Sequence, residues 1–454
     1  MRRLIAITAV LPFVATIALA MPVASAIVPP QIPPGPPPVG PVAPLGPTEQ
    51  KAACGVGRVF PGSRLRQSPS ADTMLNYTGA WQFSRGAGQK IAVIDTGVSP
   101  NPRLRALEGG GDYVSASDGL VDCDAHGTLV AGLIAAAPSA DDGFAGVAPD
   151  ATILSIRQTS DVYAPQGASA AQDDPNSLSP GYGMIQTLAL AIVRAVDLGA
   201  TVINLSEGAC VPAGAGLDDS AVGQAVRYAF ERNVVVVAAA GNVNSEGLCS
   251  MQNEVRDPNL PLVDAWRSVR TISSPAWFDD YVLAVGAVTA KGAPADFTLH
   301  GPWVDLGAPG EGLTSLSPSG GLMNAWVDQQ GGLVAVNGTS FAAPLVSGVV
   351  ALVRSRFPAM TAAEVMDRVK RTAHTPQAGP NAASGYGVVD PIAALTYDLP
   401  SGNELPVPDA ARAIAMPPEP DRGSGVRNVV LAVVCGCLAV AAVTVLAIRR
   451  PGRR

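Results

Sequence analysis

The chain has 454 residues, 48% of them hydrophobic and 15% charged, with a formal net charge of -7. That length is ample for a large buried core, and the acidic balance leaves no basic footprint for nucleic acid, so no nucleic-acid partner is expected. Glycine (48) and proline (41) are both abundant.

Met1-Arg2-Arg3, the apolar run Leu4 to Leu19 and Ala24-Ser25-Ala26 have the charged, apolar and small-residue regions of a secretory signal, predicting export with cleavage after Ala26. Residues 27–78 form a proline-rich N-terminal extension. Its part from Ile27 to Pro47 has no charged side chain and reads as an extended, polyproline-like arm. From 79 to 399 apolar strand-like runs alternate with helical stretches, the pattern of an α/β domain with a mainly parallel sheet flanked by helices. Strands are expected at Lys90–Ile94, Thr152–Arg157, Val202–Leu205, Val234–Ala239 and Leu283–Val288. Helices are expected at Gly127–Ala136, Gly183–Leu198, Ser220–Arg232, Ser340–Phe357 and Ala362–Thr372. Thr159 to Tyr182 and Asn244 to Asp279 read as long irregular stretches, either bordering a cleft, docking a partner or merely tolerated on the surface. A linker (400–427) leads to a predicted transmembrane helix (428–448). Within it Val429 to Ile448 is an uncharged run of about twenty residues, enough to span a bilayer. Arg449-Arg450 and Arg453-Arg454 then place the tail, 449–454, in the cytoplasm and the main domain outside it.

The residues with chemical promise sit at the ends of these elements. Asn337-Gly338-Thr339-Ser340 is a glycine-containing turn running into an apolar helix, with Pro344 expected in the first helical turn. Ser340 would therefore meet free amides and the positive end of the helix dipole, which favour the charge that develops when a hydroxyl attacks a carbonyl. A serine needs a base, an orienting acid and an oxyanion donor. His126 opens a small-residue helix, Asp95 closes an apolar strand, and Asn242 follows another buried strand; the carboxyl ends of strands are where such sheets place their sites.

The order Asp95-Thr96-Gly97, His126-Gly127-Thr128, Ala240-Gly241-Asn242, Gly338-Thr339-Ser340 resembles the subtilisin-like serine proteases over about Ala80 to Leu395. The resemblance implies that Asp95 orients His126, that His126 acts as general base and then acid, that Ser340 attacks and that the Asn242 amide stabilises the oxyanion. It also implies that Ile203 to Gly208 pairs with the substrate backbone, Ser206 and Gly208 matching the family pattern. Glu207 departs from the usual apolar residue there, and either redirects side-chain preference or is a solvated rim charge. The extension is too short and proline-rich for the family's usual folded pro-domain; it is expected to wrap on the catalytic domain.

Cys54, Cys123, Cys210 and Cys249 lie in the exported part and allow three pairings. Cys54–Cys123, tying the extension down near His126, and Cys210–Cys249, stapling loops after two neighbouring strands, are the pairs expected. His300 and His374 lack metal-like spacing, and the aspartate pairs 141–142, 218–219 and 279–280 lack the dense oxygen ligands of a calcium loop. No metal or cofactor is expected.

Signal peptide, extension, protease domain, linker, single helix and basic tail together resemble the mycosins, membrane-anchored proteases of type VII secretion. That resemblance implies protein substrates secreted by such a system and association with its membrane complex. The competing expectation is a scaffold whose catalysis is dispensable. With His126 as base, activity is expected to rise as the imidazole loses its proton, near the ordinary histidine value of about 6.5.

Overall fold

The computed structural model describes residues 27–167, 174–244, 248–254, 265–328, 330–377, 379–399 and 438–440. In chain order the elements begin with β1 (Thr48–Gln50), α1 (Ser70–Leu75), α2 (Tyr77–Ala80), β2 (Lys90–Asp95), β3 (Leu107–Asp112) and α3 (His126–Ala135). There follow β4 (Thr152–Arg157), β5 (Tyr163–Pro165), α4 (Ile185–Asp197), β6 (Val202–Leu205), β7 (Ala209–Pro212), α5 (Ser220–Glu231), β8 (Val235–Ala239) and β9 (Thr271–Ser274). The last are β10 (Val282–Val288), β11 (Val304–Pro309), β12 (Ser315–Leu316), β13 (Leu322–Met323), β14 (Ala325–Val327), β15 (Leu333–Ala335), α6 (Thr339–Arg356), α7 (Ala362–Arg371) and α8 (Pro391–Thr396).

Seven strands form one parallel sheet in the order β11-β10-β8-β6-β2-β4-β3. Their near-continuous apolar sequences follow from burial on both faces. In β2, Ile91 and Val93 enter the core shared with α3 and α6, whereas Ala92 and Ile94 enter the core shared with α4 and α5. Val235 and Val237 of β8 alternate with Val236 and Ala238 in the same way. β4 lies on one side of β2 and β6 on the other, so the chain reverses its direction of travel across the sheet at β2. A crevice is expected beyond the carboxyl ends of the strands at such a reversal.

The expected strands and helices appear with ends moved by a residue or two. The sequence reading missed β3 and β11, the two edges of the sheet. β3 reads Leu-Glu-Gly-Gly-Gly-Asp, and three glycines leave little strand signal. The stretch from Asn244 to Asp279 is less irregular than expected, because Thr271–Ser274 pairs antiparallel with Ala209–Pro212. β5 likewise interrupts the loop from Thr159 to Tyr182 and pairs with β1 of the extension. Pro344 also differs from expectation: it lies inside α6, beyond its first turn.

The extension lies along the domain. Ile27 and Ile32 pack on the core under α4 and α5, and Arg227 donates to the carbonyl of Gly35 (3.1 Å). Leu45 N–H donates to the Tyr182 hydroxyl (2.8 Å), and Arg58 bridges Ala325. The cysteines pair as Cys54–Cys123 and Cys210–Cys249. The described residues up to Tyr397 belong to one compact unit. The expected signal peptide lies outside the described residues, as does the expected membrane helix apart from 438–440, which are helical. Among the described residues no helix is long and apolar enough to cross a membrane.

Candidate active site

Asp95 is the last residue of β2 and is fully buried. Its Oδ1 accepts the amide of Thr96 (2.7 Å) and the Nδ1–H of His126 (2.7 Å), which fixes the imidazole's orientation. His126 reaches this partner because α3 starts close against the turn after β2. A Cβ on Gly127 would come within 2.1 Å of the Gly97 carbonyl oxygen, so only glycine permits that approach.

Asp122, overlooked in the sequence reading, holds the start of α3. One of its oxygens accepts the Thr128 amide (2.8 Å) and hydroxyl (2.6 Å); the other accepts the Ala125 amide (2.8 Å) and the Thr96 hydroxyl (2.9 Å). Burial pushes this carboxyl up to about 6, against the pull of those hydrogen bonds. The clue was available: an aspartate four residues before the helix start, with a threonine in the first turn.

Ser340 lies in the first turn of α6 and is 8% exposed. Pro344 has no amide hydrogen, so the Ser340 carbonyl, four residues earlier, receives no intrahelical bond from it. The Ser206 hydroxyl takes that place, donating to the Ser340 carbonyl at 2.7 Å. Asn204 donates to the Ser206 hydroxyl (2.8 Å) and accepts from Ser347 (2.8 Å), so a polar chain buried between β6 and α6 fixes the turn carrying Ser340. Ser206 thus spends its hydroxyl on the backbone of Ser340. A Cβ on Gly208 would meet the Ser274 carbonyl oxygen at 2.6 Å, so that glycine is required by close packing.

Asn242 follows β8, and its side-chain oxygen accepts the amide (2.9 Å) and hydroxyl (3.2 Å) of Thr339. With its oxygen so held, its NH2 group remains the donor available beside the start of α6.

His126, Ser340, Phe341, Glu207 and Trp326 line one cleft of about 410 Å³, with Ala53 and Gly55 of the extension on its wall. The His126 and Phe341 rings are 5.0 Å apart. Among the described residues no hydrogen bond joins the Ser340 hydroxyl to His126; such contacts commonly tighten when substrate binds. Glu207 Oε1 lies 3.4 Å from His126 Nδ1, beside Asp95. Burial pulls the histidine's pKa down, but the carboxylates of Asp95 and then Glu207 outweigh it and push it up to about 10. Burial raises Glu207 in turn, and the His126 charge opposes that rise.

Asp95, His126 and Glu207 are also the one group of potential metal ligands among the described residues, their donor atoms within 4.8 Å of one another. The 2.7 Å hydrogen bond already commits the histidine nitrogen to Asp95. His374 pairs instead with Asp390 (3.0 Å), and His300 is held low by burial. Of the aspartate pairs, Asp142 binds Arg103 (2.9 Å) and Asp219 accepts from Trp277 (2.6 Å).

The subtilase family model matches residues 86–387. Mycosin-1 of Mycobacterium tuberculosis is 44% identical over 419 residues, spanning 90% of this chain and 92% of that protein. The crystal structure of MycP1 from Mycobacterium smegmatis superposes with a TM-score of 0.77 at 45% identity, covering 83% of this chain and 97% of that one. A chain in the structure of an intact ESX-5 inner membrane complex gives a TM-score of 0.77 at 42% identity, covering 93% of this chain and all of that one (100%).

Proposed function

The chain belongs to the subtilase family, where it groups with the mycosins, and it is a serine endopeptidase; from this premise we propose that Asp95, His126 and Ser340 carry out the reaction. Ser340 Oγ attacks the scissile carbonyl as its proton passes to His126. Asp95 holds the imidazole and offsets the charge it gains. The carbonyl–nitrogen bond then breaks, His126 returns the proton to the leaving amine, and water hydrolyses the acyl-enzyme. The Asn242 amide and the amides at the start of α6 stabilise the oxyanion. Ser206 and Gly208 belong to the stretch that binds the substrate backbone, and Ser206 also sets the position of Ser340. The observation that carries this reading is the 2.7 Å bond between a buried Asp95 and His126, in a cleft that Ser340 shares.

The same reading extends to the whole chain. Residues 1–26 are a cleaved signal peptide, 27–78 an extension laid on the catalytic domain (79–399), 400–427 a linker, 428–448 a transmembrane helix and 449–454 a cytoplasmic tail. The protein is anchored in the cytoplasmic membrane with its catalytic domain outside. It processes proteins secreted by a type VII system and associates with that system's membrane complex. The uncharged C-terminal run and the likeness to a chain of the ESX-5 inner membrane complex support this reading. The test is labelling of the full-length, detergent-solubilised protein with a serine-directed fluorophosphonate beside Ser340→Ala. Labelling of wild type alone is expected; failure of folded wild type to label would sink the triad assignment.

A further inference from the structure

We propose that Glu207 is a positioning residue of the proton relay, a second anionic partner that, with Asp95, holds His126 in its charged form. The inference rests on His126 being the base and concerns what sets its strength.

Besides Asp95, Asp122 acts on the imidazole and Asp124, Asp161 and Glu207 line its cleft; all but Glu207 are already committed. Asp122 accepts five hydrogen bonds, from Thr96, Asp124, Ala125 and, twice, Thr128 at the start of α3. Asp124 accepts the Ser160 hydroxyl (2.6 Å) and the Asp161 amide (2.8 Å), and Asp161 accepts the Ser179 hydroxyl (2.6 Å). Glu207 differs: among the described residues, its only polar contact is the 3.4 Å approach to His126 Nδ1. The cleft lining contains no lysine or arginine among the described residues, and the nearby Arg157 is turned to Asp112 (3.5 Å). His126 is thus the one cation available to Glu207 within the cleft.

The two carboxylates act differently on the same nitrogen. Nδ1 has one hydrogen, and the 2.7 Å contact assigns it to Asp95. At 3.4 Å Glu207 lies beyond a good hydrogen bond and contributes through charge. Its attraction is therefore felt when the ring is an imidazolium, the state created as the Ser340 proton arrives. The resting enzyme feels it too: the free base appears only at higher pH than Asp95 alone would require. Glu207 strengthens the base and moves its working range upward. An uncharged residue in its place leaves a weaker base that is free of its proton at lower pH.

The experiment measures the second-order rate of fluorophosphonate acylation against pH for the full-length protein and for Glu207→Gln, Glu207→Asp and Ser340→Ala, the last as the unlabelled control. Wild type is expected to show an acid limb with its midpoint above about 6.5, the ordinary histidine value. Glu207→Gln, nearly isosteric, should move that midpoint down by about one unit and lower the alkaline plateau several-fold, the size expected for loss of one charge within about 4 Å. Glu207→Asp should restore part of the displacement, and raised salt should move wild type toward the glutamine variant because the cleft is open to solvent. Equal midpoints for wild type and Glu207→Gln, whatever their plateaus, would reduce Glu207 to a rim charge and overturn the proposal while leaving His126 as base. A pH-independent wild-type rate would overturn both.

Discussion

The helices on the two faces of the sheet differ in a way that explains where the chemistry sits. α4 and α5 each leave a polar stripe outward, along which the extension lies; Gly40 approaches Leu190, and Arg227 bonds the extension's carbonyls. α3 and α6 are buried almost all round. A helix buried on every side cannot shift to relieve a misplaced atom. The proposed base and nucleophile, His126 and Ser340, therefore sit on the two helices with the least freedom, and the face that carries them gains precision at the expense of tolerance. Mutations on the two sides should consequently differ in kind.

The largest effect expected is that of Ser340→Ala, which should lower peptide hydrolysis on the order of a million-fold, because the triad acts as a unit. Steady-state turnover of a peptide substrate checks this. The same variant, expressed in place of wild type, asks whether secretion needs catalysis. Undiminished secretion would separate a bracing role in the membrane complex from proteolysis.

Asn242→Ala should lower kcat by about a hundred to a thousand-fold with little change in KM, since its donor acts when the oxyanion forms. The variant also removes the acceptor of the Thr339 amide (2.9 Å), so the folded state is compared by thermal unfolding. A rise in KM at constant kcat would assign Asn242 to substrate binding instead.

Ser206→Ala removes the donor that replaces the missing Pro344 amide and leaves the Ser340 carbonyl unsatisfied in a buried site. A loss of about 1–3 kcal/mol in denaturant unfolding is expected, accompanied by slower acylation because the bond fixes the turn carrying the nucleophile. Equal acylation rates in the two proteins would confine Ser206 to stability.

This contrast also explains what was legible in the sequence. The central strands announced themselves because burial on both faces demands unbroken apolar runs, and Asp95, His126, Asn242 and Ser340 each carried a local motif. Edge strand β3 did not, since register with β4 and not its own residues makes it a strand. Asp122 carried a local capping signal that went unused. The links from Ser206 to Ser340 and from Glu207 to His126 join residues 134 and 81 positions apart and had no local signal at all. Even Pro344 misled: its residue type is legible, but its place inside α6 depends on a hydroxyl from β6 that makes the missing amide tolerable.

The smallest effect expected is on the other face. Arg227 donates to the Pro33 and Gly35 carbonyls and lies near Glu231 (3.4 Å), an i,i+4 pair whose glutamate is exposed and whose net worth is small. Arg227→Ala should change global stability by no more than about 0.5 kcal/mol and leave the acylation rate unchanged, since α5 keeps its core contacts. What should change is local. With two bonds lost, the arm between Ile27 and Pro47 keeps the packing of Ile27 and Ile32, the approach of Gly40 to Leu190 and the Leu45–Tyr182 bond, while the Cys54–Cys123 bridge still anchors the chain beyond it. Limited proteolysis should therefore cut this arm faster in the variant, without release of the segment from Cys54 onward. Slower acylation in Arg227→Ala would show that the arm is coupled to the cleft, and the division of labour between the two faces would fail.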